Sequence, residues 1–209
     1  MPNTSGNAFA LTTLCPLKEL TEEGRCAIIY TRTVLQNLPT GEFPDVLNLS
    51  PLARVPNTYL ARFFILDDTI FQSFPFHLDQ LKSRYLVFTA NFYGKLDDYL
   101  HGMYKHMKNE IFEIWKYGYG FDEVVSGDVL NKGEESFIRY IKKCQMNTTF
   151  FFNGSTDDSL AEQLKSLYLK QELSKFVFEH QGAGPEELLN AFKLFIQKTK
   201  PESLEFPTW

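Results

Sequence analysis

Two pairs of adjacent aspartates are the first residues to weigh as chemistry. Asp67 and Asp68 end the run "TYLARFFILDD", and Asp97 and Asp98 lie in "YGKLDDYL". Such carboxylates could hold a cation or divide acid and base roles. Each pair also has a plainer use: the first stands where a strand turns into a loop and accepts local backbone hydrogen bonds. The second stands in the first turn of a helix, where the helix dipole favours acids. The strand between them spans about 25 Å at the usual rise per residue, and the two pairs fall near its opposite ends. They are therefore expected to be structural, not one divided site.

The four histidines, His77, His101, His106 and His180, show no HxH or HExxH spacing. His101 and His106 are about 140° apart around a helix, so they do not share a face. His101 is expected in solvent. His106 flanks the apolar stripe beside Tyr99 and Met103, where it reads as half-buried, with a proton shuttle or axial ligand as the functional alternative. Arg62 is the most informative cation. It sits in mid-strand among aromatics, on the face of Leu60 and Phe64, where a guanidinium needs an anion, a ring or an exposed edge. With Thr89 and Asn91 on the neighbouring strand it could anchor a ligand. The ligand-binding candidates are thus Arg62, Thr89, Asn91 and His106; no catalytic residue is assigned.

Other signatures are missing. No GxSxG, GxGxxG or Walker-type loop occurs, and Cys15, Cys26 and Cys144 lack the spacing of a zinc site, so no metal or cofactor is expected. "FNGSTDD" could place backbone donors at a helix start, but Asp157 and Asp158 would repel an anion, so capping is the better account. Three scattered cysteines fit free thiols in a reducing compartment. "MPNTSGNAFALTTLCPL" has no basic region followed by an apolar run, and no stretch nears eighteen apolar residues. A cytoplasmic location without a membrane span is therefore expected, and the sequons at Asn3, Asn48, Asn147 and Asn153 carry little weight. A net charge of −5 with no clustered Lys and Arg argues against nucleic acid as a partner.

The elements that must position these residues follow from periodicity. The chain is 209 residues long, 44% hydrophobic and 15% aromatic, which is ample for a packed core. "NAFALTTL" and "TYLARFFIL" read as strands, as do "RYLVFTANF" and the short "TTFFF". "TEEGRCAIIYTRTVLQNL" reads as a helix with Glu22 and Glu23 in its first turn. The segment starting at Gly94 is the clearest helix, with Leu96, Leu100, Met103, Met107, Ile111 and Ile114 on one stripe. "GYGFDEVVSGDVLNKG" reads as irregular and "EESFIRYIKKC" as a short helix with Phe137 and Ile141 inward. Two further helices follow, the first opened by a capping box from Ser155 to Asp158 and the second by Pro185.

The order β-α-β-β-α-(α)-β predicts an α+β fold: a ferredoxin-like antiparallel sheet of order 4-1-3-2 with a C-terminal helical extension. Residues 1–6 are expected to be a disordered N-terminus and 7–153 the α+β domain. Residues 154–200 are expected to be helices packed on that domain, and 201–209 a tail. The strands alternate poorly between apolar and polar residues, so both sheet faces are expected to be covered. The cover of the second face is either a dimer partner or the C-terminal helices.

"NAFALTTLCPL", "TYLARFFILDD", "YLVFTANFYGKLDDYL" and "FIRYIKKC" leading into "TTFFFNG" resemble a group of uncharacterised ferredoxin-like proteins. In that group a strand ending in Asp-Asp precedes one of the type "LLFSSNFDG" and a helix with "DYL". The resemblance covers residues 7 to 165; Tyr93 departs from it, standing where the group has Asp. The wider architecture is similar to the dimeric α+β barrels, which include small monooxygenases and chlorite dismutase-like and dye-decolorising haem proteins, though no haem signature matches. The resemblance implies a fold and little chemistry; a homodimer is expected because the second sheet face is too apolar to stand in water. The leading expectation is a protein that binds a small apolar or anionic molecule between sheet and helices. The alternatives are a noncatalytic homodimeric interaction module, or a small haem-dependent or cofactor-free oxidoreductase of the barrel type.

Overall fold

The computed structural model describes residues 3–41, 48–67, 81–130, 132–154 and 157–204. It separates into two compact units, Met1–Gly154 and Ser155–Trp209.

The first unit is built on four antiparallel strands, β1 (Thr4–Ser5), β2 (Ala8–Pro16), β3 (Thr58–Leu66) and β4 (Tyr85–Tyr93), in the order β1-β2-β4-β3. The three long strands are the aromatic and branched runs expected to be strands. One sheet face is the core face. Across it run Phe63, Phe88 and Thr13 in one row, and Ile65, Leu86 and Cys15 in the next. Helices α1 (Ala27–Gln36), α2 (Leu96–Trp115), α3 (Asp122–Val129) and α4 (Gly133–Cys144) complete the unit. The α2 stripe Leu100, Met103, Met107, Ile111 and Ile114 is almost fully buried, together with Phe137 and Ile141 of α4. Aromatic contacts join sheet to helices. Phe88 stacks on Phe63 at 4.5 Å and meets the edge of Trp115 at 5.7 Å, and Phe92 stacks on Tyr99 at 3.8 Å.

The order differs from the expected 4-1-3-2 at its outer position. Residues 3–6, expected to be disordered, supply β1, and Asn3 is buried. The edge of β2 is covered in three pieces. Ala10 N–H donates to Asn3 O at 2.9 Å, Met146 N–H to Thr12 O at 2.8 Å and Tyr119 N–H to Pro16 O at 2.9 Å. The "TTFFF" segment is not a strand. It hangs outside β1 through side chains, with Thr148 N–H donating to Asn3 Oδ1 at 2.6 Å and Asn153 N–H to Ser5 Oγ at 3.1 Å. Phe150 and Phe152 are consequently exposed.

Three other differences have local causes. Helix α1 begins at Ala27, because Thr21–Arg25 closes a turn in which Arg25 N–H donates to Thr21 Oγ1 and Gly24 takes φ +74°. Glu22 and Glu23 lie in that turn, outside the helix. The stretch expected to be irregular holds α3, and α2 breaks its helical backbone at Met107, with φ −139°. Along β3 the second sheet face carries Leu60, 59% exposed, and Phe64, 44% exposed.

The second unit is an antiparallel pair, α5 (Leu160–Glu179) and α6 (Pro185–Thr199). The described capping box of α5 is Ser159 with Glu162, which exchange hydrogen bonds with each other's backbone; Ser155 lies outside the described residues. Phe176 of α5 meets Phe192 and Phe195 of α6. Lys165 is buried and donates to Thr199 O at 2.8 Å. That carbonyl lies at the C-terminal end of α6, where the helix dipole favours a cation.

Removing the Phe88 ring should leave a cavity between β4, Phe63 and Trp115. Phe88→Ala is expected to cost about 3–5 kcal/mol, read as a drop in the urea midpoint with unchanged slope.

Candidate functional site

Arg62, Thr89 and Asn91 are neighbours on the second sheet face. Arg62 and Thr89 pair across β3 and β4, with Thr12 of β2 continuing the row. Arg62 Nε donates to Thr89 Oγ1 at 3.0 Å. Among the described residues no carboxylate pairs with Arg62. Leu60 and Phe64 flank the guanidinium on the same strand. His106 does not join this group. It is exposed on α2, and α2 packs on the opposite, core face of the sheet. The reason is local to the helix: Tyr99, Met103 and Met107 take the inward positions, and His106 falls outside them. The four ligand-binding candidates thus divide into a flat polar row and an unrelated helix position.

The space between sheet and helices, where a ligand was expected, is filled by side chains. Phe88, Phe92, Met103, Met107, Trp115, Phe121 and Phe137 are each at most 1% exposed and belong to one cluster. A cleft of about 270 Å³ lies instead at the end of β2, lined by Pro16, Lys18, Ile28, Ser83, Arg84 and Tyr119 among others. Two of its three cations are engaged, Lys18 with Asp122 at 3.0 Å and Arg84 with Asp67 at 3.9 Å; the third is Lys82.

The aspartates serve as structure. Asp67 also pairs with Arg32, and Asp97 with Lys142 of α4; Asp68 lies outside the described residues. No group of three or more His, Cys, Asp or Glu suited to a metal occurs among the described residues. His101 is exposed and bonds Glu134 at 2.8 Å, His180 stacks on Phe176, and His77 lies outside the described residues. Asp128 is a perturbed surface carboxylate. The Lys108 ammonium at 2.7 Å, and then the Tyr104 hydroxyl at 2.5 Å, hold it below its ordinary value. Burial and the adjacent Asp128 push the Tyr104 phenol up. This trio ties α2 to α3.

The feature that sequence periodicity did not isolate is the apolar surface of the second unit. On α5, Leu167 and Phe178 lie roughly 140–180° around the helix from Lys165 and Phe176, at about 100° per residue. They therefore face away from α6, and they are 56% and 77% exposed. Leu164, Leu173 and Val177 occupy the flanks. On α6, Leu189 and Ile196 lie beside the row that meets α5, and both are exposed. A helix apolar on opposite faces is one built to be covered on both. Among the described residues no helix is long and apolar enough to cross a membrane. The chain matches no family model, no curated protein and no solved structure.

Because Arg62 is exposed and, among the described residues, bonded to a hydroxyl alone, Arg62→Met is expected to change stability by less than about 0.5 kcal/mol, measured by chemical denaturation; a loss of several kcal/mol would reveal a buried ion pair. The sign for Asp128 is also defined. Its depressed carboxyl stabilises the fold above the ordinary Asp value of 3.8 and stops doing so as the pH falls through the folded-state value. Asp128→Asn should thus lower the denaturation midpoint at neutral pH, and the gap to wild type should close in strong acid.

Proposed function

We propose that this protein is a noncatalytic interaction module that acts as a homodimer, with the α5–α6 hairpin as its contact element. The observation that carries this reading is the apolar far side of α5: Leu167 and Phe178, exposed opposite the face that meets α6. Two helices cannot enclose an element that is apolar on opposing faces; four can, and a hairpin pairs with its own copy about a two-fold axis to give that number.

Charge supports a second copy as the occupant. Helix α6 carries Glu186 and Glu187 in its first turn and Lys198 in its last, followed by Lys200. Antiparallel pairing of α6 with its symmetry mate sets acids against lysines at both ends. Ligand binding within the first unit is the less favoured reading, since its interior is packed and its polar row is flat, whereas ligand sites are concave with convergent polar groups. We also infer that the three long strands are a ferredoxin-like sheet whose fourth position has been reduced to β1. Their relative order and antiparallel pairing support this.

Light scattering on the eluting protein should give a dimer mass at micromolar concentration. Leu167→Glu with Phe178→Glu should give a monomer with unchanged far-ultraviolet circular dichroism. A wild-type chain that stays monomeric at all accessible concentrations would overturn the proposal.

A further inference from the structure

Cys15 and Cys144 are far apart in the chain and adjacent in the fold. Strand β2 brings Cys15 to the core face, where it is fully buried. Helix α4 ends at Cys144, and the chain then turns to pair with β2. Thr13 and Gln145 form an antiparallel bridge, and Met146 N–H donates to Thr12 O at 2.8 Å. This pairing sets the last residue of α4 beside β2, and Cys144 packs against the core cluster that holds Cys15. Cys144 is half-buried and reachable from solvent, whereas Cys15 lies behind it with its Sγ 3.8 Å from Thr13 Oγ1. Cys26, the third free cysteine, stands just before α1.

A second observation marks the place. The Trp115 indole N–H and the Tyr140 hydroxyl are buried without a hydrogen-bond partner. They are the two such groups among the described residues, and both lie beside this thiol pair. Two orphaned donors around two sulfurs form an environment that gains when one sulfur becomes an anion, since a thiolate is a far better acceptor than a thiol.

We propose that Cys15 and Cys144 form a reversible thiol–disulfide site that reacts with low-molecular-weight disulfides, Cys144 as the attacking sulfur and Cys15 as the resolving one. The Cys144 thiolate attacks one sulfur of oxidised glutathione and releases the first glutathione as its thiolate. Cys15 then loses its proton, and its sulfur attacks Cys144 Sγ in the mixed disulfide, expelling the second glutathione. Two protein thiols are oxidised to one disulfide, the small disulfide is reduced to two thiols, and the two protons end on the glutathione pair. The environment fits this division of roles. The adjacent Cys15 thiol, then the Tyr140 hydroxyl and the Lys143 charge, favour the Cys144 anion against the cost of its partial burial. The adjacent Cys144, with burial, holds Cys15 protonated until it is needed. Burial and the adjacent sulfurs push the Tyr140 phenol well above its ordinary value, so it remains a donor throughout. A low-pKa, accessible thiol beside a buried partner is the arrangement on which exchange depends. The product disulfide would tie β2 to the end of α4.

The test is oxidation of the full chain with oxidised glutathione under native conditions, followed by alkylation, digestion and mass spectrometry. The expected result is a linked Cys15–Cys144 peptide with Cys26 alkylated, reversed by dithiothreitol. In Cys15→Ser, Cys144 should accumulate bound glutathione; in Cys144→Ser, both the link and glutathionylation at Cys15 should be lost. Timed alkylation of wild type, which needs no folded variant, should modify Cys144 well before Cys15. A link through Cys26, or Cys144 labelled no faster than Cys15, would overturn the proposal.

Discussion

The contact on which the first unit depends is the aromatic junction at Phe88. Strand β4 is hydrogen bonded on both sides, to β2 and β3, and Phe88 stands at its middle on the core face. There it stacks on Phe63 of β3 and meets Trp115 at the end of α2, which in turn meets Phe137 of α4 at 5.8 Å. One ring thus couples two strands and, through a second ring, two helices. Large side chains interlocked this way fill the volume between sheet and helices, and a close-packed interior has no room for a ligand. Recognition is thereby pushed to surfaces and edges.

The second constraint is the outer edge of β2. An unpaired edge strand invites pairing with another chain. Here the edge is closed by fragments from three parts of the sequence: residues 3–5, 117–119 and 145–146. No fragment is long enough to be a regular fourth strand, and the position that a ferredoxin-like sheet would give to 148–152 is divided among them. The same stitching brings the end of α4 against β2, which is why two distant cysteines and two unsatisfied donors converge there. Gly118 is part of this closure. A Cβ at that position would collide with the Tyr140 hydroxyl, so the bridge from Gly118 to Leu17 depends on glycine as much as on backbone hydrogen bonds.

How far the sequence announces this follows from what periodicity measures. The three long strands and their relative order are legible, as are the α2 stripe, the inward Phe137 and Ile141 and the Pro185 helix start, because each extends over several residues of one pattern. Strand β1 is not, since two residues carry no period. Helix α3 is hidden by Ser126, Gly127 and Asp128, residues that propensity assigns to loops. The first turn of α1 is lost to a competing Thr21 side-chain bond. Of the ligand candidates, Arg62, Thr89 and Asn91 are legibly neighbours, because register follows from strand pairing. His106 could not be placed from its position beside the stripe, as one step around a helix separates core from solvent. The Cys15–Cys144 pair had no sequence signal at all: its proximity is a product of how β2's edge is closed.

The second unit poses the complementary problem. Helix α5 has no single polar face, and a sequence reader sees only a helix. Phe176 and Lys165 turn toward α6, while Leu167 and Phe178 turn away. Side chains of this size gain about 1.5–3 kcal/mol each from full burial, so leaving several exposed forgoes a sum comparable to the whole stability of a small domain. The ion pairs of Glu172 with Lys175 and Lys198 are surface interactions and cannot substitute for it. The hairpin is held in register by Phe176 and by Lys165 on Thr199 O, yet its composition is that of a core element. Such an element calls for a surface that covers it, which is the ground on which a second copy of the hairpin is proposed as its partner.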